Sequence, residues 1–210
     1  MTLQKFNANE LSVRLNKMSG NRQLTFGVLC CERLVPNYMA FQAGAGWGDQ
    51  AGLRKSLDLT WSWLLGEKIE EVEIKNSIAR CEKLAPSSDD FDLLLVTAAQ
   101  DACFAICCAL DWLLKEDVGK VVQAANYAID SIDLYVQEIE SMWPEDPGLE
   151  SKILLHPLMQ KELRKQHDQL AYLESTPIAG VEAVKEVKRM YGALREGNLD
   201  LYGYNPAQFF

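Results

Sequence analysis

Ser88-Asp-Asp-Phe-Asp-Leu-Leu-Leu-Val-Thr-Ala-Ala-Gln-Asp-Ala-Cys-Phe-Ala-Ile-Cys-Cys-Ala-Leu-Asp-Trp-Leu-Leu-Lys115 is the stretch that decides the fold. Phe91, Leu94, Leu95, Ala98, Ala102, Ile106, Leu110 and Leu113 recur at helical spacing. Val96, Phe104, Cys107 and Cys108 make the other faces apolar too. A helix that is apolar nearly all round belongs in the middle of a helical protein. Ser87 and Ser88 supply a start for it, so the spacing predicts the longest apolar helix over 88–115, with the others arranged around it.

Working outward, every flanking segment also reads as helix, and none alternates as a strand would. Asn7 and Glu10 offer a cap for a first helix over 8–18, closed by Gly20. A second spans 22–34. Pro36 can occupy the first turn of a third, which Gly44-Ala-Gly46-Trp-Gly48 ends as a helix stop with close backbone packing. Asp49 caps a fourth that stops at Gly66, and an acidic helix over 70–84 stops before Pro86. The segment 117–142 has one clean stripe, Val118, Val121, Ala125, Ile129, Ile132, Val136 and Ile139. Lys120, Gln123, Asp130, Asp133, Gln137 and Glu140 fall on its water side. Pro144-Glu-Asp-Pro147-Gly148 is a linker before a C-terminal helical pair, about 149–196, with helices over 157–174 and 178–195. Met159, Leu163, Gln166, Leu170 and Leu173 form a packing seam in the first of these. The tail 197–210 carries Tyr202, Tyr204, Phe209 and Phe210, which should dock on the chain or on a second copy. The expectation is one compact all-α, bundle-like domain over 1–210, with about eight or nine helices and the 88–115 helix at its centre.

Charge and cysteine content narrow the function classes. The 210 residues carry a net charge of −9, which argues against nucleic acid and anionic membranes as partners. The acid is concentrated: residues 61–150 hold 19 acidic and 6 basic groups, whereas 1–60 hold 4 and 7. Such a concentration is either a set of solvated helix faces or a surface that meets a basic protein partner. Cys30, Cys31, Cys81, Cys103, Cys107 and Cys108 sit mostly in apolar helical runs, with two adjacent pairs that make no disulfide framework. Reduced thiols in a cytoplasm are expected, since no apolar leader opens the chain. Asp101 and Asp111 interrupt the longest apolar run, which argues against a membrane span.

Polar residues inside apolar helices are the candidate site. Glu32-Arg33 interrupts the core-type run Phe26–Phe41, and Asp101 interrupts the central helix. A buried charge is costly unless it is paired. Arg33 is therefore expected to grip Asp101, with Glu32, Asp58 and Asp92 extending the network. The cluster Glu32, Arg33, Asp92, Asp101 is either an interhelical lock or a ligand pocket. The chain has two histidines, His156 and His167, and neither Glu-x-x-His nor Cys-x-x-Cys, so no metal and no cofactor is expected. His167-Asp168 lacks the further ligands that a helical HD-type phosphohydrolase needs, and both histidines should face solvent.

Several short motifs together resemble the YjaG-like bacterial proteins, a family built on a domain of unknown function. They are Leu24-Thr-Phe26, Cys31-Glu-Arg33, Pro36-Asn-Tyr38, Phe41, Gly46-Trp-Gly48-Asp49 and Leu57-Asp-Leu59 with Trp61. Pro86-Ser87, Asp89-Asp-Phe-Asp92 and Asp101-Ala-Cys103 continue the pattern to about residue 115. Cys30, Cys107 and Cys108 lie outside it. The resemblance implies a compact all-α fold in a cytoplasmic bacterial protein, and it carries no reaction, cofactor or catalytic residue. The sequence thus points to a non-enzymatic interaction or regulatory module with a protein partner or a second copy of itself, and no catalytic residue is assigned. The alternative is a small-molecule-binding or enzymatic helical protein with its site around Glu32, Arg33, Asp92 and Asp101.

Overall fold

The computed structural model describes residues 3–176, 180–192, 197–199 and 201. The described residues form nine helices and no strand: α1 (Ala8–Leu15), α2 (Gly20–Ala45), α3 (Gln50–Leu64), α4 (Glu71–Leu84), α5 (Val96–Lys115), α6 (Val118–Ile139), α7 (Leu149–Leu155), α8 (Pro157–Ser175) and α9 (Val181–Gly192). The all-α expectation holds. The aromatic residues of the predicted tail lie outside the described residues.

Two helix boundaries differ most from the sequence reading. The predicted break at Pro36 is absent: α2 runs through it for 26 residues and is the longest helix described. Proline in a helix interior removes a hydrogen bond and costs about 3 kcal/mol. Burial on both sides offsets that cost, with Leu29, Leu34, Tyr38 and Phe41 almost wholly inaccessible. The second difference is the start of the central helix, which begins at Val96 rather than 88. Residues before it make turns instead. Ser87 Oγ accepts from the Asp89 N–H at 3.2 Å, and the Asp90 N–H donates to the Ser87 carbonyl. Serine and aspartate side chains compete for backbone groups in this way and disfavour helix. The turn also frees Phe91 to pack edge-on against Phe41, with centroids 5.2 Å apart, and against Trp47 at 5.3 Å.

Other ends follow local chemistry. Asn7, Asp49 and Asp117 cap α1, α3 and α6, each accepting from a backbone N–H in the first turn. Between α2 and α3, Gly46 closes α2 in the left-handed conformation at φ 62°. Gly48 then sits at φ 116°, where a Cβ would lie 2.8 Å from Tyr38 Oη. That hydroxyl accepts from the Asp49 N–H at 3.1 Å, so Gly48 lets the α2–α3 corner close on Tyr38. Gly48→Ala should therefore cost about 2–3 kcal/mol, from strained φ and the clash together. Urea melts of the two proteins measure it; a loss below a few tenths of a kcal/mol would sink this account of the corner.

α5 lies against α2, α3, α4 and α6, as a central helix should. α2 also contacts α3, α6 and α8, so α2, α5 and α6 form the middle of the molecule. One buried apolar cluster runs from Leu11 to Leu199 through all these elements. The two C-terminal helices take different seats. α8 packs on α2 and α6, whereas α9 brings Lys188 over the Trp61 ring of α3. Val96–Lys115 is long and apolar enough to cross a membrane, despite Asp101 and Asp111; in this fold 61% of its most apolar window is buried.

Candidate functional site

The predicted cluster does not assemble, and its four members go to four places. Arg33 pairs with Glu162 of α8, not with Asp101. Its Nη2 lies 2.6 Å from Glu162 Oε1, and its Nε donates to Glu162 Oε2 at 2.9 Å. Nη1 donates to the Leu29 carbonyl and to Gln169 Oε1 at 2.7 Å. Gln166 Nε2 donates both to Glu162 Oε1 and to the Ala125 carbonyl of α6. Arg33 is 5% exposed and Glu162 1%. Burial alone would lower the Arg33 guanidinium; the Glu162 charge, together with Cys30 and the hydrogen bonds to both, more than offsets this and holds it above its ordinary value. The charges are satisfied from all sides in the interior, which is the arrangement of a lock between α2, α6 and α8. Four residues further along α2, Asn37 Nδ2 donates to Asn198, whose own amide reaches the Ala128 carbonyl and Ser131 Oγ of α6.

Glu32 points elsewhere, towards α3. Arg54 donates to both its oxygens at 2.7 and 2.8 Å, and Trp61 Nε1 donates at 2.6 Å. Arg54 also holds Asp58 at 2.8 Å, and Lys188 of α9 lies 3.8 Å from Asp58. Two anions thus meet two cations: Glu32 and Asp58, expected to extend an Arg33–Asp101 network, are instead joined by Arg54. Glu32→Ala would strand the buried indole N–H and the half-buried guanidinium. It should cost about 2 kcal/mol and shift Trp61 fluorescence, both readable in one denaturation series; an unchanged midpoint would contradict the network.

Asp92 is exposed in the turn before α5 and joins neither network. Asp101 is the odd one. It is 9% exposed on α5, and its Oδ2 is fully buried with no hydrogen-bond partner. Asn37 Oδ1 and Trp112 Nε1 share that condition among the described residues, but neither can ionise. Burial, then the charge of Asp130, pushes the Asp101 carboxyl from 3.8 to about 7. Asp130 on α6 is itself raised by burial and by Asp133, while Asn126 donates to it at 2.6 Å. Around the acids the face is apolar. Phe104, one turn beyond Asp101, meets Tyr127 of α6 with centroids 6.0 Å apart. Phe104 is 37% exposed and Leu134 46%. On α6, Tyr127, Asp130 and Leu134 follow i, i+3, i+7 spacing and form one stripe.

Glu162, Asp130, Phe104 and Tyr127 were missed from sequence, and each left a trace. Glu162 sits beside Leu163 and one turn before Gln166 in the seam of α8, where a carboxylate calls for a buried cation. Asp130 was placed on the water side of α6, which is half covered because α5 leans on it.

Five of the six free cysteines are buried. Burial pushes Cys30 and Cys108 up to about 11 and Cys31 well above its ordinary value. Cys81 alone is lowered, chiefly by a hydrogen bond with Cys107. A cleft of about 380 Å³ lies between residues 3–14 and α8. It holds none of the predicted site residues, and its Arg14 is bidentate on Glu174 at 2.7 and 2.8 Å. His167 and Asp168 are exposed, and His156 caps α8 through Nδ1.

The model of a family described as "Protein of unknown function (DUF416)" matches residues 10–207. The chain belongs to this family. Among DUF416 relatives, the uncharacterized protein YjaG of Escherichia coli (strain K12) is 38% identical over 98 residues, 47% of this chain and 50% of that protein. The match thus spans about half the length of that relative. An uncharacterized protein of Haemophilus influenzae is 25% identical over 86% of this chain and 90% of its own. A DUF416 crystal structure from Shewanella baltica OS155 superposes with a TM-score of 0.80, covering 92% of this chain and 97% of that one at 24% identity. It shares the all-helical fold. The YjaG-like resemblance is therefore correct, and the family carries no assigned function.

Proposed function

We propose that this DUF416 protein is a cytoplasmic, non-enzymatic interaction module that docks a basic protein partner on the outer face of α5 and α6. The observation that carries this reading is Asp101: a buried carboxyl with an unpartnered oxygen, one helical turn from exposed Phe104 and within reach of the Asp130 charge on α6. A buried polar atom without a partner lowers stability and marks a place where a partner group fits. The acids around it favour a cationic surface over a second copy of the chain, which would bring acid against acid. The other charges of the predicted site, buried Arg33 with Glu162 and half-buried Glu32 with Arg54, are held by one another and not offered to a substrate. Six free thiols suit a reducing compartment.

A photo-crosslinking amino acid placed in turn at Phe104, Leu134, Val13 and Val72 tests the docking face in native cells. All four positions are exposed. Adducts to one basic protein from positions 104 and 134, and not from 13 or 72, are expected. Equal labelling from all four, or adducts only to further copies of this chain, would overturn the reading.

A further inference from the structure

We propose that the α5–α6 face is a receptor for a single cationic side chain, with Asp101 and Asp130 as its acceptors and Phe104 and Tyr127 as its flanking rings. This deepens the docking reading by naming the group that the partner inserts, an arginine or lysine side chain.

The geometry is specific to this one place. Asp101 and Phe104 lie one turn apart on α5, so they project from the same side. Tyr127 and Asp130 do the same on α6, and the Phe104–Tyr127 contact holds the two helices' stripes together at 6.0 Å. Ring faces beside two carboxylates match a guanidinium or ammonium, whose stem is apolar and whose head is charged. Lys120 of α6 lies towards the other end of α5, held by Asp111 at 2.9 Å. Asn126 donates to one oxygen of Asp130 and fixes that carboxylate in place. The titratable groups facing Asp101 and Tyr127 are Asp130 on α6 and Cys108 on α5, with Asp133 next to Asp130. None of these is a cation.

A cation bound here must displace the proton that Asp101 holds in its absence. Binding should then strengthen as pH rises, because the ionised carboxylate is the binding form. A neutral donor of the same shape would gain little from that ionisation.

The probe is acetyl-arginine methylamide, with acetyl-citrulline methylamide as its neutral isostere, titrated into the 15N-labelled protein. Saturable shifts are expected at residues 101, 104, 127, 130 and 134 with the arginine probe alone. Affinity should rise about tenfold from about pH 5.5 to about pH 8. Asp101→Asn should abolish the saturable shifts while the variant stays folded, since it removes a destabilising acid. Equal shifts from the citrulline probe, or shifts scattered over the acidic surface and unchanged by Asp101→Asn, would overturn the receptor. The two ideas fail separately. Crosslinks confined to 104 and 134 with a silent arginine probe would end the receptor and leave the docking face. Uniform crosslinks with a clean arginine titration would do the reverse.

Discussion

Arg33→Met alone will lower the free energy of unfolding by about 3–5 kcal/mol, and adding Glu162→Met will recover most of that loss. The single variant leaves a carboxylate in the interior with Gln166 as its remaining donor. Glu162→Met leaves a guanidinium held by neutral acceptors, the Leu29 carbonyl, Gln169 and the Cys30 thiol. The double variant removes both charges and fills the space with apolar atoms. Such replacements of buried pairs are often neutral or better, because the desolvation cost disappears with the attraction. Urea unfolding of the four proteins at neutral pH gives the cycle directly. If both single variants lose less than about 1 kcal/mol, the pair is reached by water and is no lock.

Asp101→Asn has the opposite sign. An acid whose carboxyl is raised in the folded state keeps a proton there that the unfolded chain has already lost. Stability is therefore full below about pH 4, falls as pH rises towards 7, and stays low above that. Asparagine cannot ionise, so the variant should be more stable than the parent by about 2–4 kcal/mol at pH 8. The two should converge near pH 4. Some slope will persist in the variant, because Asp130 is raised too. Chemical denaturation at half-unit pH steps measures this. A variant that is less stable at every pH would show that the carboxylate has a partner in the folded protein.

These two results bear on what the sequence could and could not tell. The central helix, the stop at Gly46–Gly48, the Asp49 start and the seam of α8 are all legible, because each rests on local periodicity or capping. The start of α5 was misplaced because Ser87–Asp90 read equally as a helix cap and as a turn. Pro36 reads as a helix start because its cost is local, whereas the burial that outweighs it is tertiary. The candidate site failed in the same way. Sequence showed that Arg33 and Asp101 each needed explaining, but pairing them assumed the nearest unexplained charges were partners. Arg33 finds its anion 129 residues later in α8, and Asp101 Oδ2 has no partner among the described residues. Long-range choices among several buried charges depend on how helices cross, which periodicity does not encode.

The span between Arg33 and Glu162 also sets a timetable for the chain as it is made. At about 5–20 residues per second, roughly ten seconds pass between synthesis of the two ends of that pair. During that interval α2, α5 and α6 can already touch, yet the guanidinium in their midst has no counter-charge. The N-terminal three quarters of the protein should therefore stay loosely packed and open to chaperones until α8 arrives. A chain cut before residue 157 would hold that open state permanently.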